Sequence, residues 1–149
     1  MRAVLQKVSR AKVSVKGATV GEIGKGIVVF LGVAKRDSEK DAIYLLEKTL
    51  NIRVFEDAAG KMNFSLLDIR GELLVVSQFT LFGDTRRGRR PSFIEAAPPE
   101  KANSLYELFV GEALKQIETV QTGRFQAMME IELINDGPVT ILLDSNKLF

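Results

Sequence analysis

The sequence of 149 residues contains no cysteine, no histidine and no tryptophan. Without cysteine there are no disulfides, and without cysteine and histidine the usual structural zinc sites cannot form. The same absences exclude the Ser-His-Asp and Cys-His sites of many hydrolases. No DxD or similar acidic cluster indicates a magnesium site, so we expect neither a metal nor a cofactor. Any catalysis must therefore use hydroxyls, amides, carboxylates, backbone groups or groups of the substrate itself.

Long apolar runs are also missing. The longest, residues 27–33, contains Gly32 and is far too short to span a bilayer, and residues 1–7 are not apolar enough for a signal peptide. We therefore expect a soluble cytoplasmic protein that makes no membrane contact. Hydrophobic residues make up 46% and charged residues 27% of the chain, and no linker or repeat divides it. This length and composition predict a single domain over residues 1–149.

Apolar patterning predicts the element order strands, helix, strand, helix, strands. Residues 11–15 alternate apolar and polar side chains, whereas residues 27–33 have no polar face and indicate a central strand covered on both sides. Residues 38–50 and the segment after Pro98 change to helical spacing. The other predicted extended segments are residues 2–8, 19–23, 54–55, 71–81, 127–134 and 139–143. We predict a mixed α/β fold with curved, barrel-like β-sheet layers and two helices packed on one side.

Polar side chains appear where the strand predicted over residues 71–81 leaves the core. Ser77, Gln78 and Thr80 stand at this point, and rigid scaffolds often present functional groups at strand ends and in the loops that follow. The alternative is that these polar atoms only satisfy nearby backbone groups. Strand alternation places Phe79 opposite Gln78 and Thr80, which favours a core position for its ring.

Arginine is concentrated in one short stretch. The net charge of the chain is only +2, yet four of five consecutive residues are arginine, namely Arg86, Arg87, Arg89 and Arg90. A solvated loop is one interpretation of this cluster. The other is contact with phosphate, because guanidinium groups bind phosphates through paired hydrogen bonds. Arg124 can extend the same surface.

Gly137 and Pro138 lie between the last two predicted strands. Asn135 and Asp136 precede them, and these residue types favour a reverse turn. A cis peptide bond before Pro138 is a second option, since proline reduces the preference for trans.

Together these segments resemble the D-aminoacyl-tRNA deacylases. Ser77-Gln78-Phe79-Thr80-Leu81 and Asn135-Asp136-Gly137-Pro138-Val139-Thr140 are similar to the two signature motifs of that family, in the same order. Residues 21–24, 60–63, 90–93 and 121–125 also resemble family segments, so the resemblance spans nearly the whole chain. One departure is Lys7, where the family commonly has an arginine that looks like a support for the Gly-Pro loop. Lysine keeps the charge but lacks the planar paired donor.

The resemblance implies a carboxylic ester hydrolase that cleaves D-aminoacyl-tRNA, and glycyl-tRNA, in chiral proofreading. It implies tRNA as the substrate and a homodimer as the active form. Gly137 and Pro138 of one chain, joined by a cis bond, would enter the partner's site beside Ser77, Gln78 and Thr80. Their carbonyl groups would hold the α-amino group and exclude L side chains.

Two mechanisms fit these residues. In the first, the 2′-hydroxyl of the tRNA assists the attack, and backbone amides near Phe79 or Thr80 stabilise the oxyanion. In the second, Thr80 is a covalent nucleophile, but no base near it is evident in the sequence, so we favour the first. An exposed Phe79 would offer a stacking surface to the terminal adenine. Two other functions stay open: a relative that acts on mischarged L-alanyl or glycyl tRNA, and a non-enzymatic nucleic-acid-binding dimer that uses residues 86–90.

Overall fold

The computed structural model describes residues 1–148. In chain order its elements are β1 (Arg2–Val15), β2 (Ala18–Ile23), β3 (Gly26–Gly32), α1 (Glu39–Asn51), β4 (Phe55–Glu56), β5 (Met62–Phe64), β6 (Glu72–Ser77), a single-turn 3-10 helix (Phe79–Phe82), α2 (Pro99–Leu114), β7 (Val120–Thr122) and β8 (Glu130–Asp144). No helix within the described residues combines the length and apolarity needed to cross a membrane.

The sheet is built around β1. This strand pairs antiparallel with β3 along its first half, with β2 along its second half, and with β8 along nearly its whole length. β3 pairs parallel with β6, which in turn pairs parallel with β7. The order β2-β1-β3-β6-β7 almost closes on itself, because a Cβ on Gly21 of β2 would lie 2.7 Å from the carbonyl oxygen of Thr122 in β7. The predicted mixed fold with a barrel-like sheet is confirmed.

Two apolar clusters lie on opposite faces of β3 and β6. The larger one lies under both helices and includes Ile27, Val29, Leu45, Leu73 and Phe109. The smaller one fills the barrel and includes Val8, Val13, Ile23, Val28 and Leu74. Successive residues of β3 therefore enter different cores, as strand alternation requires. This arrangement confirms the prediction of a central strand covered on both sides and of two helices on one side.

Several predicted boundaries are wrong. β1 is continuous through residues 9 and 10, and β8 includes the residues between the two segments predicted there, because these strands pair with each other over most of their length. The strand predicted to reach residue 81 ends at Ser77, and the chain turns at Gln78, where φ is −142° and ψ is 83°. The strands β5 and β7 have only 3 residues each, too few for a recognisable period.

β3 and β6 approach each other closely at Gly26, which pairs with Glu72. A Cβ at this position would lie 1.9 Å from the carbonyl oxygen of Glu72, which is backbone and cannot move aside alone. We therefore expect Gly26→Ala to lower the free energy of unfolding by about 3 kcal/mol or more. Denaturant-induced unfolding measures this change.

Gly111→Ala is the matched control for this substitution. Gly111 lies within α2, and a Cβ there would meet nothing within 4 Å. Because alanine favours helix more than glycine does, the control should be neutral or stabilising by up to about 1 kcal/mol. Equal losses of unfolding free energy in the two variants would show that the close approach at Gly26 is not the cause of the loss in Gly26→Ala.

Candidate active site

A mainly apolar groove of about 670 Å³ opens where β6 leaves the barrel. Residues 77–80 line it together with Pro99 and Ala102 of α2. The segment before β8 contributes residues 125–129, and β8 itself contributes Ile131. Among residues 1–148, the side chains that line this groove include no Asp, Glu, Lys, Arg or Tyr. All four residues of the segment 77–80 therefore line one groove. Its lining within the described residues supplies no ionisable side chain that could act as acid or base.

The sharp turn after β6 gives the groove its shape. Gln78 donates its backbone N–H to the carbonyl oxygen of Leu31 at 2.9 Å, so the parallel ladder extends one bond beyond Ser77. The chain then winds into the 3-10 helix, which packs closely on β3. A Cβ on Gly32 would lie 3.0 Å from the carbonyl oxygen of Gln78, so the glycine allows this approach. The turn at Gln78 and the close packing allowed by Gly32 thus direct residues 78–80 out of the sheet.

The 3-10 helix begins with the backbone amides of Phe79 and Thr80. The start of a helix leaves N–H groups without acceptors inside the helix. The hydrogen bonds formed within residues 1–148 include none donated by the backbone amide of Phe79 or Thr80. Both amides therefore lack an acceptor within the described residues, and both residues line the groove.

The hydroxyl of Thr80 has an amide neighbour. Gln78 Nε2 donates a hydrogen bond to Thr80 Oγ1. An amide N–H cannot remove a proton from the hydroxyl, and no carboxylate or amine lines the groove within the described chain. This environment fixes the orientation of the hydroxyl without activating it as a nucleophile.

Phe79 is not a core residue, and the prediction from strand alternation is wrong. The strand has already ended at Ser77, and the 3-10 turn directs the ring outward, where 55% of the residue is exposed. The ring packs edge-on against Phe93, with centroids 5.0 Å apart and an interplanar angle of 68°. An exposed aromatic surface supported from one side therefore borders the groove.

Gly137 and Pro138 lie in a bulge of β8. Gln6 of β1 pairs with Thr140 and Val8 pairs with Asn135, so residues 136–139 stand opposite Lys7 alone. The interpretation as a reverse turn is wrong, because β8 continues in one direction along β1 on both sides of the bulge. The peptide bond between Gly137 and Pro138 is cis.

Polar contacts at the base of the bulge define its conformation. Asn135 Oδ1 accepts the backbone N–H of Val139 at 2.8 Å, and Thr140 Oγ1 donates to Gln6 Oε1 at 2.6 Å. Gly137 and Pro138 themselves are exposed, and neither lines the groove of the same chain. Within one chain, residues 77–80 line the groove, whereas the bulge that carries Gly137 and Pro138 lies outside it.

Lys7 supports the bulge from beneath. Its side chain is only 2% exposed, and Nζ lies 2.8 Å and 2.6 Å from the two carboxylate oxygens of Glu56. Nζ also lies 3.6 Å from Asp136 Oδ2, next to Gly137 in the chain. The hydrogen bond from Lys7 lowers the pKa of the Glu56 carboxyl. The ammonium group therefore joins β4 to the bulge, and this chain retains a cationic contact with the loop despite lacking the arginine.

The arginine-rich residues form a closed loop. Asp84 and Ser92 exchange backbone hydrogen bonds of 2.8 Å and 2.9 Å at its base. Arg86 binds Asp84 with two guanidinium nitrogens, at 2.9 Å and 2.7 Å, and this contact lowers the pKa of the Asp84 carboxyl to about 2. Within residues 1–148, no ion pair is formed by Arg87, Arg89 or Arg90. Arg124 is exposed and adjoins the groove-lining segment.

Sequence patterns did not assign residues 125–129 to the site. Met128 is 92% exposed, and Phe125 packs against Tyr106 with ring centroids 6.1 Å apart. Tyr106 donates its hydroxyl to the carbonyl oxygen of Val75 at 2.8 Å, and burial raises its pKa to about 12. The available signal was the family-like segment of residues 121–125, which ends where this part of the groove begins.

No group of three or more acidic, histidine or cysteine side chains is placed to hold a metal ion within the described residues.

Comparisons with known proteins identify the family. The model of a family described as D-Tyr-tRNA(Tyr) deacylase matches residues 4–144. The D-aminoacyl-tRNA deacylase of Thermosipho africanus (strain TCF52B) is 58% identical over 149 residues, and that of Clostridioides difficile (strain 630) is 60% identical over 149 residues, each covering 100% of both chains.

Two solved structures share the fold of this chain. A structure titled c-Myc DNA Unwinding Element Binding Protein has a TM-score of 0.92 at 42% identity and covers 97% of this chain and 98% of its own. A structure of a probable eukaryotic D-amino acid tRNA deacylase shares the fold, with a TM-score of 0.80 at 19% identity over 95% of this chain and 97% of its own. The chain belongs to the D-aminoacyl-tRNA deacylase family.

Proposed function

We propose that the groove beside residues 77–80 is where this family member hydrolyses the ester of D-aminoacyl-tRNA. The observation that carries this assignment is the meeting of the signature segment, two unbonded backbone amides and an apolar recess at one strand end. Binding sites for small groups are typically concave, largely apolar and supplied with a few placed polar groups. The aminoacyl ester would enter this recess with its carbonyl oxygen towards the amides of Phe79 and Thr80.

Ser77, Gln78 and Thr80 position the ester in this proposal. The amides of Phe79 and Thr80 stabilise the negative charge that develops on the carbonyl oxygen as water attacks the carbonyl carbon. The bond from that carbon to the ribose oxygen then breaks, and the ribose oxygen takes up a proton. Because the part of the groove formed by residues 1–148 has no ionisable side chain in its lining, the neighbouring 2′-hydroxyl of the ribose organises the attacking water.

A second copy of the chain supplies Gly137 and Pro138 to each groove. Their exposure, and their absence from the groove of their own chain, support this arrangement. Backbone carbonyl groups of the bulge accept hydrogen bonds from the α-amino group and occupy the space that an L side chain needs. Glycine has no side chain to reject, so glycyl-tRNA is also a substrate in this scheme.

Wild-type protein should release amino acid from D-tyrosyl-tRNA and glycyl-tRNA, while L-tyrosyl-tRNA decays only at its spontaneous rate in buffer. The physical reason is steric exclusion of the L side chain combined with a common contact to the α-amino group. Release of the labelled amino acid is measured over time for the three esters, with a protein-free control for each. Absence of release from the D ester would overturn the proposed site, and equal release from both enantiomers would overturn the exclusion mechanism.

The same assay addresses the other functions. Preferential release from L-alanyl-tRNA would indicate the alternative specificity for mischarged tRNA. A structure that is 42% identical to this chain is titled c-Myc DNA Unwinding Element Binding Protein. Absence of hydrolysis from every ester would therefore favour the alternative of nucleic-acid binding without catalysis. Family membership favours hydrolysis over that alternative.

A further inference from the structure

The arginine loop at residues 85–91 has no part in the chemistry proposed for the groove. We propose that Arg87, Arg89 and Arg90 bind phosphodiester groups of the RNA strand whose 3′ end lies in the groove. This inference rests on the proposed function, since it concerns the same substrate. It divides the substrate into an ester, bound by the groove, and a polyanion, bound by the loop.

Contacts within the protein hold the base and one side of the loop. The paired backbone hydrogen bonds between Asp84 and Ser92 close its base, and the bidentate contact of Arg86 with Asp84 braces one side. Arg86 thus has a structural partner, whereas the other three guanidinium groups extend from the exposed tip. A fixed loop binds more tightly than a mobile one, because less conformational entropy is lost on binding.

The loop is also joined to the wall of the groove. Phe93 follows Ser92 directly and packs on Phe79, the aromatic residue at the groove's edge. A Cβ on Gly83, at the other end of the loop, would lie 3.1 Å from Phe93 Cε1, so both ends of the loop meet at this ring. The loop that carries the arginines therefore begins and ends beside Phe79, where the terminal nucleotide would stack.

Charge on the loop suits a polyanion. Of the acidic groups nearby, Asp84 is neutralised by Arg86, and Glu95 lies in the recess beside Arg87 and Ser92, below the tip. The tip itself carries no carboxylate, since residues 85–91 include none. Guanidinium groups form paired hydrogen bonds with phosphate oxygens and release bound counterions from the RNA.

The test compares two esters of the same amino acid. One is D-tyrosyl-tRNA, and the other is 3′-O-(D-tyrosyl)adenosine, which retains the ribose and base but has no phosphate. In the variant Arg87→Ala/Arg89→Ala/Arg90→Ala, kcat/KM for the tRNA should fall about 30-fold or more, mainly through KM. The slope of log kcat/KM against log salt concentration should become shallower by about 2, since about 0.7 is lost for each phosphate contact with a single strand. Hydrolysis of the nucleoside ester should not change.

The variant Lys40→Ala/Arg53→Ala/Arg70→Ala is the matched control. It removes the same charge from exposed positions that do not line the groove or the arginine loop. Equal losses in the two triple variants, an unchanged salt slope, or equal losses on both esters would overturn the phosphate-binding role. The salt slope is measured on tRNA alone, so it decides even where the nucleoside ester reacts slowly. If the wild type hydrolyses neither ester, the proposed function fails instead.

Discussion

Neither Gly137→Ala nor Ala102→Trp alone will hydrolyse D-tyrosyl-tRNA, but a refolded equal mixture of the two will recover about a quarter of wild-type activity. Gly137 has a φ of +143°, and a Cβ there would lie 2.6 Å from Val139 Cγ2 and 2.8 Å from the Val139 nitrogen. Alanine must therefore displace the bulge. A displacement of about 1 Å in a positioning group can reduce the rate by about 100-fold.

The second substitution acts on the groove, the other half of the site proposed to be shared between two chains. Ala102 lines the groove from α2, and an indole there occupies the space needed by the aminoacyl group. Random pairing makes about half of the dimers mixed, and each mixed dimer has one groove in which both the lining residues and the partner's bulge are intact. One working groove in two, in about half of the dimers, gives the expected quarter.

Each variant is checked separately for cooperative unfolding and for dimer mass in solution. Gly111→Ala serves as the active control, because Gly111 lies on the same helix as Ala102 and a Cβ there meets nothing within 4 Å. Mixing that restores nothing, although mixed dimers form, would mean that each chain uses its own bulge. A monomeric wild type with full activity would reject the composite site altogether.

A D-tyrosyl-tRNA that ends in 2′-deoxyadenosine will be hydrolysed at least about 100-fold more slowly than the ribose form. In the proposed mechanism backbone amides stabilise the oxyanion, and the groove lining within residues 1–148 offers no acid or base to the attacking water. In this mechanism the 2′-hydroxyl orients the water, and its removal would leave only electrostatic stabilisation. Single-turnover rates at saturating enzyme separate this effect from weaker binding.

Thr80 variants complete this test. Since Gln78 holds the Thr80 hydroxyl without activating it, Thr80→Ala should lower the single-turnover rate by no more than about 10-fold. Thr80→Ser, which retains the hydroxyl, is the matched control. Undiminished hydrolysis of the deoxy substrate, together with complete loss in Thr80→Ala while tRNA binding persists, would instead assign Thr80 as the nucleophile.

Much of the fold was predictable because its main signals are local. The unbroken apolar run of β3 indicated burial on both faces, and helical spacing located α1 and α2. The end of β6 was not predictable from periodicity, because Phe79 and Leu81 continue an apolar alternation while the backbone has already turned. The error for Phe79 followed from that boundary, since a side chain's direction depends on where its strand stops.

The site was predictable only where one segment supplies it. Residues 77–80 form a compact signature, whereas the opposite part of the groove depends on how β7 and β8 return to the barrel. The contacts of Lys7 illustrate the same limit. Its partners Glu56 and Asp136 come from distant parts of the chain, and a sequence without an alignment gives no sign that they meet. Similarity to a family supplied what local physics did not.

The pairing of β1 with β8 has a consequence for the order in which the protein assembles. Arg2 pairs with Asp144, so β1 cannot complete its pairing until β8 has been synthesised. Until then β1 has an unpaired edge, and the bulge that carries Gly137 has no Lys7 beneath it. Contacts between such distant residues slow folding, because the closure of a long loop precedes the gain from pairing. The Gly-Pro bulge can thus take its place only when synthesis of the barrel is nearly complete.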